Sequence, residues 1–241
     1  MSAPGVELVA PALERVRERI RRAAEQSGRD PREIRLVAVS KRQPADKIRA
    51  AYAAGQRDFG ENYAQELLAK RDQLGDLRDL RFHMIGALQR NKVAGLCGVI
   101  SAVHSVDSVR LIEELGRRSS ARPVPPERAL LASGQLAVFL EVNLGEAQKA
   151  GCAPAELGQL IDAVLAQPSL SLRGLMAIPA GSDDPESARA QFERVLELRE
   201  QQGGVARLPE LSLGMSRDLE VAIACGSTWV RVGTDIFGER G

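Results

Sequence analysis

Short apolar runs alternate along the chain with longer stretches of helical periodicity. Eight such runs, followed in turn by helical stretches, are typical of parallel strands that return through crossover helices. We therefore predict a single α/β domain over 1–241, a (β/α)8 TIM barrel, with a doubly wound open sheet as the alternative. The predicted strands are 34–39, 57–60, 81–86, 99–103, 136–142, 172–178, 210–214 and 229–233, and the predicted helices between them are 45–54, 64–73, 90–96, 109–118, 155–166, 185–202 and 217–224.

Two segments fall outside this alternation. The region 1–30 carries an extra leading helix, because its first 22 residues mix charged and apolar positions in an amphipathic pattern, unlike a secretory signal. The stretch 117–135 is rich in Pro, Ser, Arg and Ala and lacks a sustained apolar face. It is predicted to be a mobile loop.

The charge balance points away from nucleic acids and membranes. The 241 residues carry a formal net charge of +1, with Lys and Arg dispersed along the chain and no long apolar span. Three cysteines lie far apart without CxxC spacing, so neither disulfides nor a metal site are indicated. We expect a cytoplasmic protein with a small-molecule partner.

A lysine follows the first predicted strand directly. Lys41 ends the segment Ile34-Arg35-Leu36-Val37-Ala38-Val39-Ser40-Lys41. Barrel enzymes build their sites at the carboxyl ends of the strands, where a partly desolvated lysine loses pKa and becomes nucleophilic enough to form a Schiff base. The alternative is a surface lysine in a turn.

Small and hydroxyl-bearing residues follow the last two predicted strands, where barrels often bind phosphate. Ser216 comes after the seventh strand and is a plausible N-cap of the next helix, while Gly233 and Thr234 follow the eighth. Together they predict a phosphate-binding cup. Helix capping and an ordinary turn are the alternatives.

Three further polar residues belong to predicted strands or strand ends. Arg231 alternates with apolar neighbours in the last strand, and a buried guanidinium needs a ligand atom or a structural carboxylate beside it. Asn62 follows the second strand, either as a ligand donor or as a helix cap. His83 lies within the third strand, either stacked on a ring or as a satisfied core histidine.

Taken together, the segments resemble the pyridoxal phosphate homeostasis protein family, small proteins built like the barrel domain of alanine racemase. The resemblance covers 36–240. It rests on the motifs Ala38-Val39-Ser40-Lys41, Phe59-Gly60-Glu61-Asn62-Tyr63, His83-Met84-Ile85-Gly86-Ala87-Leu88-Gln89-Arg90-Asn91-Lys92, Glu141-Val142-Asn143, Leu172-Arg173-Gly174-Leu175-Met176, Leu213-Gly214-Met215-Ser216-Arg217-Asp218 and Val230-Arg231-Val232-Gly233.

The resemblance implies a role for each matching residue. Lys41 is expected to hold pyridoxal 5′-phosphate (PLP) as a Schiff base, Ser216, Gly233 and Thr234 to receive its phosphate, and Arg231 to face the pyridine nitrogen. An arginine there releases its proton reluctantly, so the ring nitrogen stays unprotonated and the electron sink of the cofactor is weakened.

The resemblance therefore implies a monomeric protein of PLP homeostasis, which buffers the cofactor or transfers it to apo PLP-dependent enzymes without robust catalysis. Related racemases take a second acid/base tyrosine from a further β-domain, for which this sequence has no room. A PLP-dependent amino-acid racemase or decarboxylase is the alternative. A Schiff-base aldolase that acts on a phosphorylated sugar is a third possibility.

Overall fold

Eight parallel strands form a closed barrel in sequence order, which confirms the predicted architecture. The computed structural model describes residues 5–145, 150–179 and 185–239. The register shifts within the β3–β4, β4–β5 and β5–β6 pairs, and the first strand pairs with the last through Val37 and Arg231. The strands are β1 (Arg35–Val39), β2 (Asp58–Glu61), β3 (Arg81–Met84), β4 (Ile100–Val106), β5 (Leu136–Glu141), β6 (Leu170–Met176), β7 (Glu210–Ser212) and β8 (Trp229–Val232).

The helices surround this barrel. All seven predicted crossover helices are present. Two further helices, Gly204–Arg207 and Thr234–Phe237, were not predicted because a segment of four residues is too short to show a helical period. The helices are α1 (Val9–Gln26), α2 (Ala45–Ala53), α3 (Ala64–Gln73), α4 (Arg90–Leu96), α5 (Val109–Ala121), α6 (Leu157–Leu165), α7 (Pro185–Gln201), α8 (Gly204–Arg207), α9 (Leu219–Ala224) and α10 (Thr234–Phe237). The first four residues of the predicted leading helix lie outside the described part of the chain.

The segment predicted as a loop over 117–135 starts later than expected. Helix α5 continues to Ala121, because its buried stripe passes from Leu115 to the small, polar Ser119, which carries no apolar signal. The rest of the segment is attached to the barrel: the Ser101 hydroxyl donates to the Arg128 carbonyl oxygen at 2.7 Å. The boundary prediction was therefore wrong by about one helical turn.

Helix α1 covers the outside of the barrel beside α9 and α10. Val9, Leu13, Val16 and Ile20 form its buried stripe, which explains its amphipathic sequence. Just beyond its last residue, the Arg29 guanidinium donates at 2.9 Å to the Ile223 carbonyl oxygen in α9 and at 2.7 Å to the Ser227 carbonyl oxygen that follows α9. Among the described helices, none is both long and apolar enough to span a bilayer.

Candidate functional site

A cavity of about 420 Å³ lies at the carboxyl ends of the strands, within the size range typical of small-molecule sites. Residues that follow β1, β2, β7 and β8 line it, as expected for a barrel. Six of the seven predicted site residues are among them: Lys41, Asn62, Ser216, Arg231, Gly233 and Thr234.

A buried network supports the turn that carries Lys41. The preceding Ser40 donates from its hydroxyl to Oε1 of Glu61 at 2.6 Å. The Lys70 ammonium donates to the same carboxylate oxygen and to the Ser40 carbonyl, both at 2.6 Å. Burial raises the pKa of Glu61 and the neighbouring Lys70 opposes that rise. The other carboxylate oxygen of Glu61 is buried without a hydrogen-bond partner.

The residue after Lys41 is held in a rare backbone conformation. Arg42 has a φ of +58°, the left-handed region that side chains other than glycine seldom adopt. Its amide donates to Oε1 of Glu66 at 2.5 Å, and Lys70 pairs with that same oxygen at 2.7 Å. The turn is thus anchored to α3 on both sides of Lys41, which fixes where the half-buried amine enters the cavity.

Arg231 is buried in the cavity wall, and its oxygen partners belong to the neighbouring strand β7 and to the residue that follows β6. One guanidinium nitrogen donates to the carbonyl and the hydroxyl oxygen of Ser212, at 2.5 Å and 2.8 Å, and the other donates to the Ala177 carbonyl at 3.1 Å. Burial lowers its pKa to about 10, so the group stays charged at neutral pH. Within the described chain no ion pair joins it to an acid, so the salt-bridge alternative is not what the structure shows.

His83 does not line the cavity. It lies inside the barrel in a chain of hydrogen bonds that begins at Arg231 and passes through the hydroxyl of Ser212. The hydroxyl contacts His104 Nδ1 at 2.8 Å, His104 Nε2 contacts His83 Nδ1 at 2.9 Å, and His83 Nε2 contacts Asp58 at 2.9 Å. Since Arg231 can only donate and the Asp58 carboxylate can only accept, one set of tautomers satisfies every link.

The electrostatics of the chain agree with that arrangement. Complete burial, together with the neighbouring His83, lowers the pKa of His104 well below its ordinary value, so this ring is neutral. Burial opposes ionisation of Asp58, but hydrogen bonds from Arg81 and His83 outweigh it and hold the pKa of that carboxyl below its usual range. His83 therefore matches the description of a satisfied core histidine, the alternative left open by the sequence.

The turns after β7 and β8 bring Ser216, Gly233 and Thr234 to one side of the cavity. A Cβ atom on Gly233 would lie 3.1 Å from the Val39 carbonyl oxygen, so a residue without a side chain allows β8 to approach the end of β1 closely. Ser216 is not the N-cap of the next helix, because α9 begins at Leu219. That earlier prediction was wrong: the acidic residue Asp218 precedes the helix and accepts the Met215 amide at 2.6 Å.

An arginine from the first helix joins both of these turns. Arg19 in α1 donates to the Ser216 carbonyl oxygen at 2.9 Å and to the Asp235 carboxylate at 2.5 Å. It also pairs with Glu220 of α9 at 2.8 Å. No pattern in the sequence indicates this role, because an arginine on an amphipathic helix looks like an ordinary solvated charge and its partners lie about 200 positions away.

Asn62 lies between this cavity and a second one of about 260 Å³. It is not the cap of α3, because Tyr63 occupies that position. A Cβ atom on Gly86 would meet the Asn62 carbonyl oxygen at 2.6 Å, so only glycine allows the two strand ends to approach this closely. The second cavity also contains the Glu141 side chain, whose pKa burial raises to about 7.

Comparison with known proteins places this geometry in a family. Residues 12–241 match the family model described as "Alanine racemase, N-terminal domain". A pyridoxal phosphate homeostasis protein of Pseudomonas aeruginosa is 46% identical over 233 residues, covering 96% of each chain. The structure of PipY from Synechococcus elongatus with PLP bound is 38% identical, with a TM-score of 0.75 over 91% of this chain and 100% of that one. A protein of unknown function from Bifidobacterium adolescentis is 36% identical with a TM-score of 0.86, over 98% of this chain and 97% of that one.

Proposed function

Because this chain belongs to the pyridoxal phosphate homeostasis protein family, we propose that it binds PLP in the cavity at the barrel mouth and buffers or transfers the cofactor in the cytoplasm. A single observation carries the proposal: one cavity brings together an amine, a guanidinium and two hydroxyl-bearing turns, from Lys41, Arg231, Ser216 and Thr234. An aldehyde, a pyridine ring and a phosphate are the groups that such a set recognises.

Each side chain has one task in this proposal. Lys41 bonds covalently to the aldehyde carbon as a Schiff base, and the anchored turn beneath it sets the approach of the amine. Ser216 and Thr234 bind the phosphate from one side, and Gly233 allows it to lie close to the backbone. Arg231 stays protonated at neutral pH and donates toward the ring nitrogen.

The same arrangement argues against strong catalysis. Bound PLP supplies an electron sink, and that sink is weak when a charged donor, rather than an acid, faces the pyridine nitrogen. The described tyrosines offer no acid/base at the cavity: Tyr52 contacts Arg57 on the outside of the barrel, and the half-exposed Tyr63 is not a lining residue. We propose a monomeric carrier whose recipients are apo PLP-dependent enzymes, rather than a racemase or decarboxylase.

Absorbance spectroscopy followed by borohydride reduction and peptide mapping tests the proposal. PLP added to the purified protein is expected to give an imine band and a pyridoxyl group on the peptide containing Lys41. The Lys41→Ala variant should give neither, because no other lysine amine among the described residues lines the cavity. Lys92→Ala is the matched control, since Lys92 lies at the start of α4 and lines neither cavity.

Three outcomes would contradict the proposal. A reducible adduct at full yield in Lys41→Ala would remove Lys41 as the anchor. A colourless wild-type protein that ignores added PLP would remove the cofactor altogether and favour a Schiff-base aldolase. Turnover of amino acids at ordinary enzymatic rates, about 1–1,000 per second, would instead favour a racemase or decarboxylase.

A further inference from the structure

The second cavity lies directly beside the proposed cofactor site. The two cavities share Asn62, Ile85 and Ile178 as wall residues, so a ligand in one adjoins a ligand in the other. Val142, which follows β5, lines this cavity and forms a β-bridge with Cys152. None of the predicted functions of Lys41 or of the phosphate turns uses this second space.

Glu141 gives the second cavity its chemical character. It ends β5, is only 5% exposed and lines the cavity. No hydrogen bond or ion pair joins its side chain to any other residue that the structure describes. A largely buried carboxylate without a protein partner is costly to ionise, and a cation bound in the cavity would offset that cost.

Two charged groups influence the pKa of Glu141, and neither forms a hydrogen bond or an ion pair with it. Burial raises its pKa to about 7, Arg231 of β8 lowers it, and Asp107 after β4 raises it further. Arg231 already donates to oxygens of Ser212 and Ala177. The carboxylate is therefore available to an incoming ligand.

The remaining walls define the class of cation. Ile85, Val142 and Leu144 are apolar, and among the described lining residues of this cavity none carries a positive charge. Against these described walls, an unbranched alkyl chain ending in an ammonium group would have both apolar contacts and a charge partner.

We propose that the second cavity binds a primary alkylammonium group of the lysine side-chain type, with the Glu141 carboxylate as its ion-pair partner. The inference rests on the proposed function, because such an amine would be the acceptor that withdraws the cofactor from Lys41. Glu141 then removes one proton: an N–H bond of the ammonium breaks, an O–H bond forms on the carboxylate, and the neutral amine keeps its lone pair beside the first cavity.

The test uses n-butylamine and the full-length protein without PLP, at pH 8, where the Glu141 carboxylate is ionised and the amine is protonated. Binding is followed by amide chemical shifts of ¹⁵N-labelled protein, which report both affinity and location. We expect shifts around Glu141 and Asn143, and an affinity at least about tenfold lower in Glu141→Gln. Glu113→Gln, an exposed position on α5, is the matched control and should bind as the wild type does.

Two comparison ligands sharpen the result. Butan-1-ol has the same chain without the charge, so it should bind wild type and Glu141→Gln equally. The compound 4-aminobutanoate adds a carboxylate and should bind more weakly than n-butylamine. Equal n-butylamine affinity in wild type and Glu141→Gln would overturn the proposal, and so would tighter binding of 4-aminobutanoate, which would point to amino acids instead.

A PLP titration of the same proteins separates this inference from the proposed function. If Glu141→Gln forms the imine band like the wild type but releases the cofactor to n-butylamine more slowly, both stand. If the wild type binds n-butylamine through Glu141 but never forms the band, the cavity assignment holds and the proposed function fails. The dispersion of the amide spectrum shows directly that the variant is folded.

Discussion

Replacing Lys70 by Met tests the network beneath Lys41. Lys70 is 7% exposed at its side chain and Glu61 is fully buried, and their charged atoms lie 2.6 Å apart. Met keeps most of the side-chain volume but removes the ammonium, so Glu61 is left as an uncompensated buried charge. Breaking a buried pair from one side costs about 3–5 kcal/mol, whereas replacing both partners by neutral groups costs far less.

The structure sets the expected size of the effect. A barrel of this length unfolds in urea with an m-value near the upper end of the usual range, about 3 kcal/mol per molar. A loss of about 3–5 kcal/mol therefore lowers the midpoint by about 1–1.7 M. Because burial already raises the pKa of Glu61 and Lys70 opposes that rise, the variant holds a carboxyl of still higher pKa. Its stability deficit should grow as pH increases from 5 to 8.

Urea unfolding followed by circular dichroism measures this for wild type, Lys70→Met, Glu61→Gln and the double variant. The double variant should be more stable than Lys70→Met, and its own stability should not change with pH through this pair, because neither replacement side chain ionises. The imine band should form more slowly in Lys70→Met, since the ammonium also holds the Ser40 carbonyl oxygen next to Lys41. A deficit below about 1 kcal/mol in Lys70→Met, or a double variant as unstable as Lys70→Met, would refute the reasoning.

Two further predictions concern charges elsewhere at the barrel mouth. Glu141 has a pKa of about 7 in the folded chain against 4.5 in the unfolded one, so between pH 4.5 and pH 7 the folded chain binds one proton more than the unfolded chain. The stability of the fold therefore falls by roughly 3 kcal/mol as the pH rises from 4.5 to 7. Glu141→Gln should lack this fall, and urea unfolding at pH 5 and pH 8 measures it. The same change in stability between the two pH values in wild type and in Glu141→Gln would contradict the prediction. Arg19→Ala should weaken PLP binding, because the Ser216 carbonyl and Asp235 lose their shared partner, and should cost about 1–2 kcal/mol of stability since the pairs are half-exposed. Arg21→Ala, which removes only exposed ion pairs within α1, should leave the PLP titration unchanged, and an equal loss of affinity in both variants would contradict a specific role for Arg19.

The barrel could be predicted because short, mostly apolar runs recur between the helical stretches. Strands of a parallel sheet are buried on both faces, so β5 is buried at every position and is apolar from Leu136 to Leu140, while β4 is equally buried but includes Ser101, His104 and Ser105. Helix boundaries were less predictable. The last turn of α5 buries Ser119 rather than an apolar residue, and α10 is too short to show a period.

The site residues that could be predicted are those at the ends of strands. Lys41, Ser216 and Arg231 lie at or near strand ends, and a barrel brings all strand ends to one face. The position of a side chain within a strand does not show whether it reaches a ligand, so His83 was kept as a candidate site residue beside the alternative of a core histidine, which is what the structure shows. Arg19 and Glu141 were missed for another reason: their environments are made by residues distant in sequence.

The bridge from Arg19 to the Ser216 turn and to Asp235 also bears on the order of folding. It joins the first helix to segments 197 and 216 positions later in the chain. Contacts of such long range pay the largest loop-closure entropy, and they form after most local structure is in place. The capacity to hold the cofactor would then be among the last properties that the folding chain acquires. A chain emerging from the ribosome would remain unable to sequester PLP until its final strand had joined the first.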